Sequence, residues 1–213
     1  MSQTKCTKSS MGRGAGILYL LLFPLGIFGL IYFQINVVVV GDINGTIQNI
    51  IKDELFFRLS IISSLVLQVV YIFLAFVFYK LFFDVDKDIS MIMLIFVLVS
   101  VPISMTNEII RYALLYLLDT PETIKTLVLL HTTGVNIAQI FWGLWLFPLG
   151  VLIYKSDFIP KILGILMILA CFGYISDSFL WFVYPNSEFS LSEYTFLGEL
   201  ILPLWLVIKG IDE

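Results

Sequence analysis

Five charged side chains stand inside or at the rims of long apolar runs: Arg58, Glu108, Arg111, Asp177 and Glu199. A charge held at the centre of a bilayer costs about 3 kcal/mol or more, so such residues face a cavity or pair with one another. Three carboxylates against two guanidiniums leave one acid unmatched. That acid either takes up a proton or holds a cation. The chemistry on offer is ion or polar-ligand binding, with proton exchange as a companion.

Uncharged polar residues surround these five at helical spacing. Ser100, Ser104, Asn107, Glu108 and Arg111 share one stripe, on which Glu108 and Arg111 are three residues apart and can pair. Thr132, Asn136, Gln139 and Gly143 form a second stripe with His131 beside it, and Arg58, Ser60, Ser64 and Gln68 a third. The candidate ligand- or ion-binding set is therefore Glu108, Arg111, Asp177 and Glu199, with Arg58, His131, Asn136 and Gln139 around them.

Catalytic and metal chemistry find less support. A lone histidine rules out a multi-histidine zinc site, and no HExxH-like spacing accompanies it. No Gly-x-Ser-x-Gly elbow presents a serine nucleophile. No metal, cofactor or catalytic residue is assigned. Trp142 and Trp145 lie deep enough to wall a pocket, although packing between helices explains large aromatics as well.

The elements that must position these residues are long helices. Of 213 residues 60% are hydrophobic and 13% charged, and the mean hydropathy is +1.01. A soluble domain carries about 25% charged residues, so the solvent for this chain is lipid. About 20 apolar residues cross the hydrocarbon core as a helix. Six stretches qualify: 14–40, 56–83, 90–118, 127–154, 162–184 and 194–209. Barrel strands would instead show short alternating segments. The expectation is an all-α, six-transmembrane-helix bundle, with residues 1–213 forming one integral-membrane domain.

Turn chemistry marks the breaks at Asp42-Ile43-Asn44-Gly45, Asp84-Val85-Asp86-Lys87-Asp88, Asp119-Thr120-Pro121-Glu122 and Pro185-Asn186-Ser187. The connections are short, so neighbouring helices should be antiparallel. Lys5, Lys8, Arg13, Lys80, Lys87, Lys155, Lys161 and Lys209 fall on one side, against Lys52, Arg58 and Lys125 on the other. The positive-inside rule then puts both termini in the cytoplasm of a cell-membrane protein. In that orientation all eight candidate residues fall in the outer half of the membrane, as an outward-opening polar vestibule would require.

Several other classes are set aside. The formal net charge of -4 and the absence of a basic block argue against nucleic acid. Cys6 lies in a polar tail and Cys171 within an apolar run, too far apart in depth for a disulfide. The first apolar run exceeds a signal-peptide core and lacks a small-x-small cleavage site, so it reads as an uncleaved anchor. Leu22-Phe23-Pro24-Leu25-Gly26 recurs as Leu146-Phe147-Pro148-Leu149-Gly150, but the flanking spans do not align as an inverted repeat would.

One connector is distinctive: Leu149 to Gly164, reading LGVLIYKSDFIPKILG, followed by Gly173-Tyr174-Ile175-Ser176-Asp177-Ser178. With Glu54-Leu55-Phe56-Phe57-Arg58-Leu59 and the terminal Trp205-Leu206-Val207-Ile208-Lys209-Gly210, it resembles domain-of-unknown-function family 4386 over nearly the whole chain. That resemblance implies a multi-helix membrane protein, mainly bacterial, with no established activity and no catalytic residues to carry over.

The reading favoured by these residues is a non-enzymatic membrane protein that binds or passes a small polar or ionic ligand. Its partners are the lipid bilayer and that ligand, with the oligomeric state open. An intramembrane enzyme acting on lipid or isoprenoid chains is the first alternative, and a structural or regulatory subunit with a paired polar core the second.

Overall fold

The computed structural model describes residues 2–184, 187 and 189–211, with side chains from Lys8 onward. Pro185 and Asn186 of the last turn, and the side chains of Lys5 and Cys6, lie outside the described residues. Helix α1 (Ser2–Gly26) runs into two π-helical turns, Ile27–Ile31 and Phe33–Val37. Then come α2 (Ile43–Lys52), α3 (Glu54–Phe82), α4 (Lys87–Leu114), α5 (Pro121–Leu144), α6 (Leu146–Lys155), α7 (Lys161–Val183), α8 (Ser192–Thr195) and α9 (Leu197–Ile208). No strand occurs among the described residues.

Five segments are long and apolar enough to cross a membrane: Lys8–Val37, Glu54–Phe82, Lys87–Leu114, Pro121–Lys155 and Lys161–Val183. The sixth expected span, 194–209, needs correction. It is divided into α8 and the 12-residue α9, and at 1.5 Å per residue α9 is only about 18 Å long. Hydropathy alone cannot reveal this, because the same apolar residues serve a whole span or a half.

Two further departures have local causes. The fourth span is two helices, broken at Trp145. Pro148 has no N–H for the carbonyl of Leu144 and its ring crowds that carbonyl, so the ladder breaks there. The 41–55 connection contains α2, whose Ile47 and Ile50 are buried with Thr46 on one face. Asp42 caps it by accepting from Gly45 N at 2.9 Å.

The helices form a closed ring in the order α1, α3, α4, α5 with α6, α7, α9, and α9 returns to α1. Each stave packs against the next in sequence, as short antiparallel connections dictate. Lys8 lies 3.7 Å from Asp84, and Lys155 lies 2.7 Å from Asp86. The start of α1, the α3–α4 turn and the end of α6 therefore share one end of the bundle. The Lys155 ammonium and the N–H of Ile89 hold the Asp86 carboxyl below its ordinary range. Where α6 meets α7, a Cβ on Gly150 would stand 2.5 Å from the Gly164 carbonyl, so two glycines let these backbones touch.

Large apolar side chains such as Ile17, Ile62, Phe73, Ile95, Leu129, Phe172 and Ile208 point outward. One core fills the half of the ring nearer the termini, around Phe78, Met93, Val97, Leu149, Leu202 and Leu206. A second core lies at the opposite end, where Ile47 and Ile50 of α2 cover Phe33, Phe57, Leu114 and Ile124. Polar groups occupy the space between.

Candidate functional site

The polar interior has two centres. In the first, Arg111 Nη1 donates to Glu108 Oε2 at 2.9 Å and to the Gly29 carbonyl at 2.7 Å, while Nη2 donates to Ser60 Oγ. Ser64 Oγ donates to Glu108 Oε1 at 2.7 Å. The guanidinium also lies over Phe33 and Phe57, 4.7 and 5.5 Å from their centroids, which adds cation–π attraction.

Three helices build this centre. Arg111 and Glu108 meet one turn apart on α4, Ser60 and Ser64 stand on the facing stripe of α3, and α1 offers a carbonyl from a π turn, a geometry frequent at functional sites. Gly29 is required for the approach: a Cβ there would lie 2.8 Å from Ser64 N. Asn107 Nδ2 donates to the His131 carbonyl at 2.9 Å, and the His131 ring meets Phe33 edge-on at 4.9 Å. Both charges of the pair are matched. The centre is a buried, hydrogen-bonded ion pair in which Arg111 Nε alone of the guanidinium nitrogens has no partner among the described residues.

The second centre surrounds Glu199. Its Oε2 accepts from Tyr19 OH at 3.0 Å, and its Oε1 is buried without a partner among the described residues. Glu199 lines a cavity of about 130 Å³ with Tyr19, Tyr71, Tyr174, Trp142, Trp145 and leucines 22, 30 and 67. No described lysine, arginine or histidine makes an ion pair with Glu199. Trp145, placed at the α5–α6 break, holds Tyr71 edge-on at 5.3 Å and Tyr19 tilted at 5.8 Å. The cavity is an aromatic chamber containing one acid.

Between the centres run buried polar atoms that have no described partner: both ends of the Gln68 amide, Ser104 Oγ and Tyr71 OH. Ser64, Gln68 and Tyr71 descend one stripe of α3, one turn at a time. Ser104 is one turn from Glu108 on α4.

The eight residues expected as one cluster are thus distributed. Glu108 and Arg111 join, with His131 nearby but no hydrogen-bond partner on its ring. Arg58 is half-exposed and pairs with Glu54 at 2.7 Å. Asn136 donates to the Thr132 carbonyl of its own helix, and Gln139 to the Tyr174 carbonyl.

Asp177 serves another purpose. Its carboxylate accepts from Leu191 N at 2.6 Å, Ser192 N at 2.9 Å and Ser190 Oγ at 2.7 Å. It caps the start of α8 from the neighbouring helix α7, satisfying amides that helix geometry leaves open. Irregular backbone at membrane depth survives only where its polar groups are met in this way.

Glu199 stands apart from the Glu108–Arg111 pair. The segment leading into the last helix packs along α7 part-way down its length, where a Cβ on Gly173 would stand 3.0 Å from Ser192 Cα. Glu199 stands in the first turn of α9 and meets Tyr19 of α1 across the ring. Sequence reasoning missed Tyr19, Tyr71 and Tyr174. The available signal was three tyrosines far from either interfacial belt.

A ring of apolar helices, greasy outside and polar within, defines a helical integral membrane protein. The chain belongs to the DUF4386 family, a domain of unknown function whose model matches residues 14–210. It is 36% identical to an uncharacterized protein of Archaeoglobus fulgidus over 151 residues, covering 71% of this chain and 83% of that protein. No solved structure matches it.

Proposed function

We propose that this protein binds a small cation in the mid-membrane chamber, with Glu199 as its ligand and Tyr19 fixing the carboxylate. The observation behind this reading is the carboxylate itself: one oxygen is held by a tyrosine, the other has no partner, and a cavity adjoins it. An unmatched carboxylate inside a bilayer is neutralised by a proton or by a bound cation. The cavity supplies room for the cation. Glu108 is excluded from that role because Arg111 already neutralises it.

The reading is non-enzymatic. The chamber surrounds its acid with tyrosines, tryptophans and leucines, and among the described residues no histidine, lysine or second carboxylate lines it. The outer-half vestibule of eight residues gives way to a smaller site, and the Glu108–Arg111 pair becomes the bolt joining α1, α3 and α4. In the proposed topology the whole chain is one domain of the cell membrane, with the last helix entering only part-way.

The test is the thermal midpoint of purified protein in detergent across a panel of monovalent cations. Wild type should be stabilised saturably by at least one of them. Glu199→Gln should fold, with a midpoint at or above wild type in the absence of the cation, because it removes an unmatched charge. It should lose the cation response. A response that Glu199→Gln retains would defeat the assignment.

A further inference from the structure

We propose that the chamber selects an alkylated ammonium cation, of the size of a tri- or tetramethylated amine, over a metal ion. The inference rests on the cation reading of Glu199 and adds the ligand's chemical class.

Size comes first. A single water needs only about 10–15 Å³ of such space, so a cavity of about 130 Å³ has room for a tri- or tetramethylated amine. The walls come next. A small hard cation needs a shell of oxygen ligands, six or so for the common divalent ions, to replace its water. The lining offers a carboxylate and tyrosine hydroxyls, while the remaining surface is aromatic ring and leucine. A metal ion would lose more hydration than the chamber returns.

An alkylated ammonium has the opposite requirements. Its charge is spread over methyl groups that are weakly hydrated, and aromatic faces attract it, as in cages for quaternary ammonium ligands. Five rings from four staves converge here: Tyr19 from α1, Tyr71 from α3, Trp142 and Trp145 from the α5–α6 junction, and Tyr174 from α7. Glu199 closes the ring from α9 with the counter-charge. Three of the rings are in mutual contact, Tyr71 against Trp145 at 5.3 Å and Tyr19 against Trp145 at 5.8 Å. Tyr71 is 4% exposed and its hydroxyl is unpartnered. It is free to accept from an N–H of a partly alkylated amine.

Thermal midpoints with tetramethylammonium, trimethylammonium, sodium and potassium chlorides at matched ionic strength test the proposal, with tryptophan fluorescence as a second readout. The methylated cations should raise the midpoint saturably and shift the fluorescence, and sodium and potassium should not. Glu199→Gln should weaken the response at least tenfold. Trp145→Leu should abolish it, and Trp142→Phe, a milder change that keeps a ring, should weaken it if Trp145→Leu does not fold. A Glu199-dependent response to sodium or potassium but not to methylated ammonium overturns the cage and leaves the cation site standing. No Glu199-dependent response to any of the four overturns both. A methylammonium response that survives Glu199→Gln places the binding elsewhere and also overturns the proposal.

Discussion

Glu108 and Glu199 are the same side chain inside the same ring, yet their surroundings assign them different work. Glu108 has an arginine and a serine; Glu199 has the hydroxyls of Tyr19 and Tyr174 and a space. The first pairing was legible in the sequence, because three residues on a helix bring side chains together. The second was not, since Tyr19 and Glu199 are 180 residues apart. Removing Arg111 should strand the Glu108 charge, so Arg111→Ala is expected to cost about 3–5 kcal/mol of stability. The double variant Arg111→Met/Glu108→Leu should recover most of that loss. Equal melting of Arg111→Ala and wild type in detergent would refute the buried pair. Gln68 makes the opposite case. Its amide is fully buried and unpartnered, and leaving such a group unmet costs about 1–3 kcal/mol. Gln68→Leu should therefore melt at or above wild type; a clear drop would mean the amide has a partner in solution.

Helices were legible wherever a long apolar run sits between turn signals, and five spans lie close to where hydropathy placed them. What the pattern lacked was tertiary. A run of sixteen residues at 194–209 reads as a span until Gly173 and Asp177 of α7 receive its first turns deep in the bundle. The α2 helix was hidden among turn residues, although the spacing of Ile43, Ile47, Ile50 and Ile51 is helical. Asp177 shows how one element depends on another, because its carboxylate satisfies the backbone at the start of α8. Losing a helix cap costs about 0.5–2 kcal/mol. Asp177→Ala should speed amide hydrogen exchange across 190–196 while leaving α6 unchanged. Unaltered exchange in 190–196 would show that other contacts hold the segment.

Across the whole molecule, charge and geometry bear on the same question of sidedness. Lys8, Asp84, Asp86 and Lys155 are joined at one end of the ring, the end that the proposed orientation, resting on the excess of lysine and arginine, puts in the cytoplasm. A reporter fused after Ser187 should therefore behave as extracytoplasmic, and one fused within 84–88 as cytoplasmic. The reverse result would invert the topology but leave the chamber intact, because its lining residues meet one another inside the bundle whichever end faces the cytoplasm.

The return of α9 to α1 also has a consequence in time. Chain order makes α9 the last stave to emerge during synthesis, so α1 and α7 enter the bilayer with a gap between them. The carboxylate of Glu199 arrives on a helix too short to hold the membrane alone, and it finds Tyr19, made long before, already in place. Closure of the ring is thus a docking event. A nascent chain stopped before Leu197 has every ring of the chamber and no acid, and its open seam faces lipid until the final twelve-residue helix closes it.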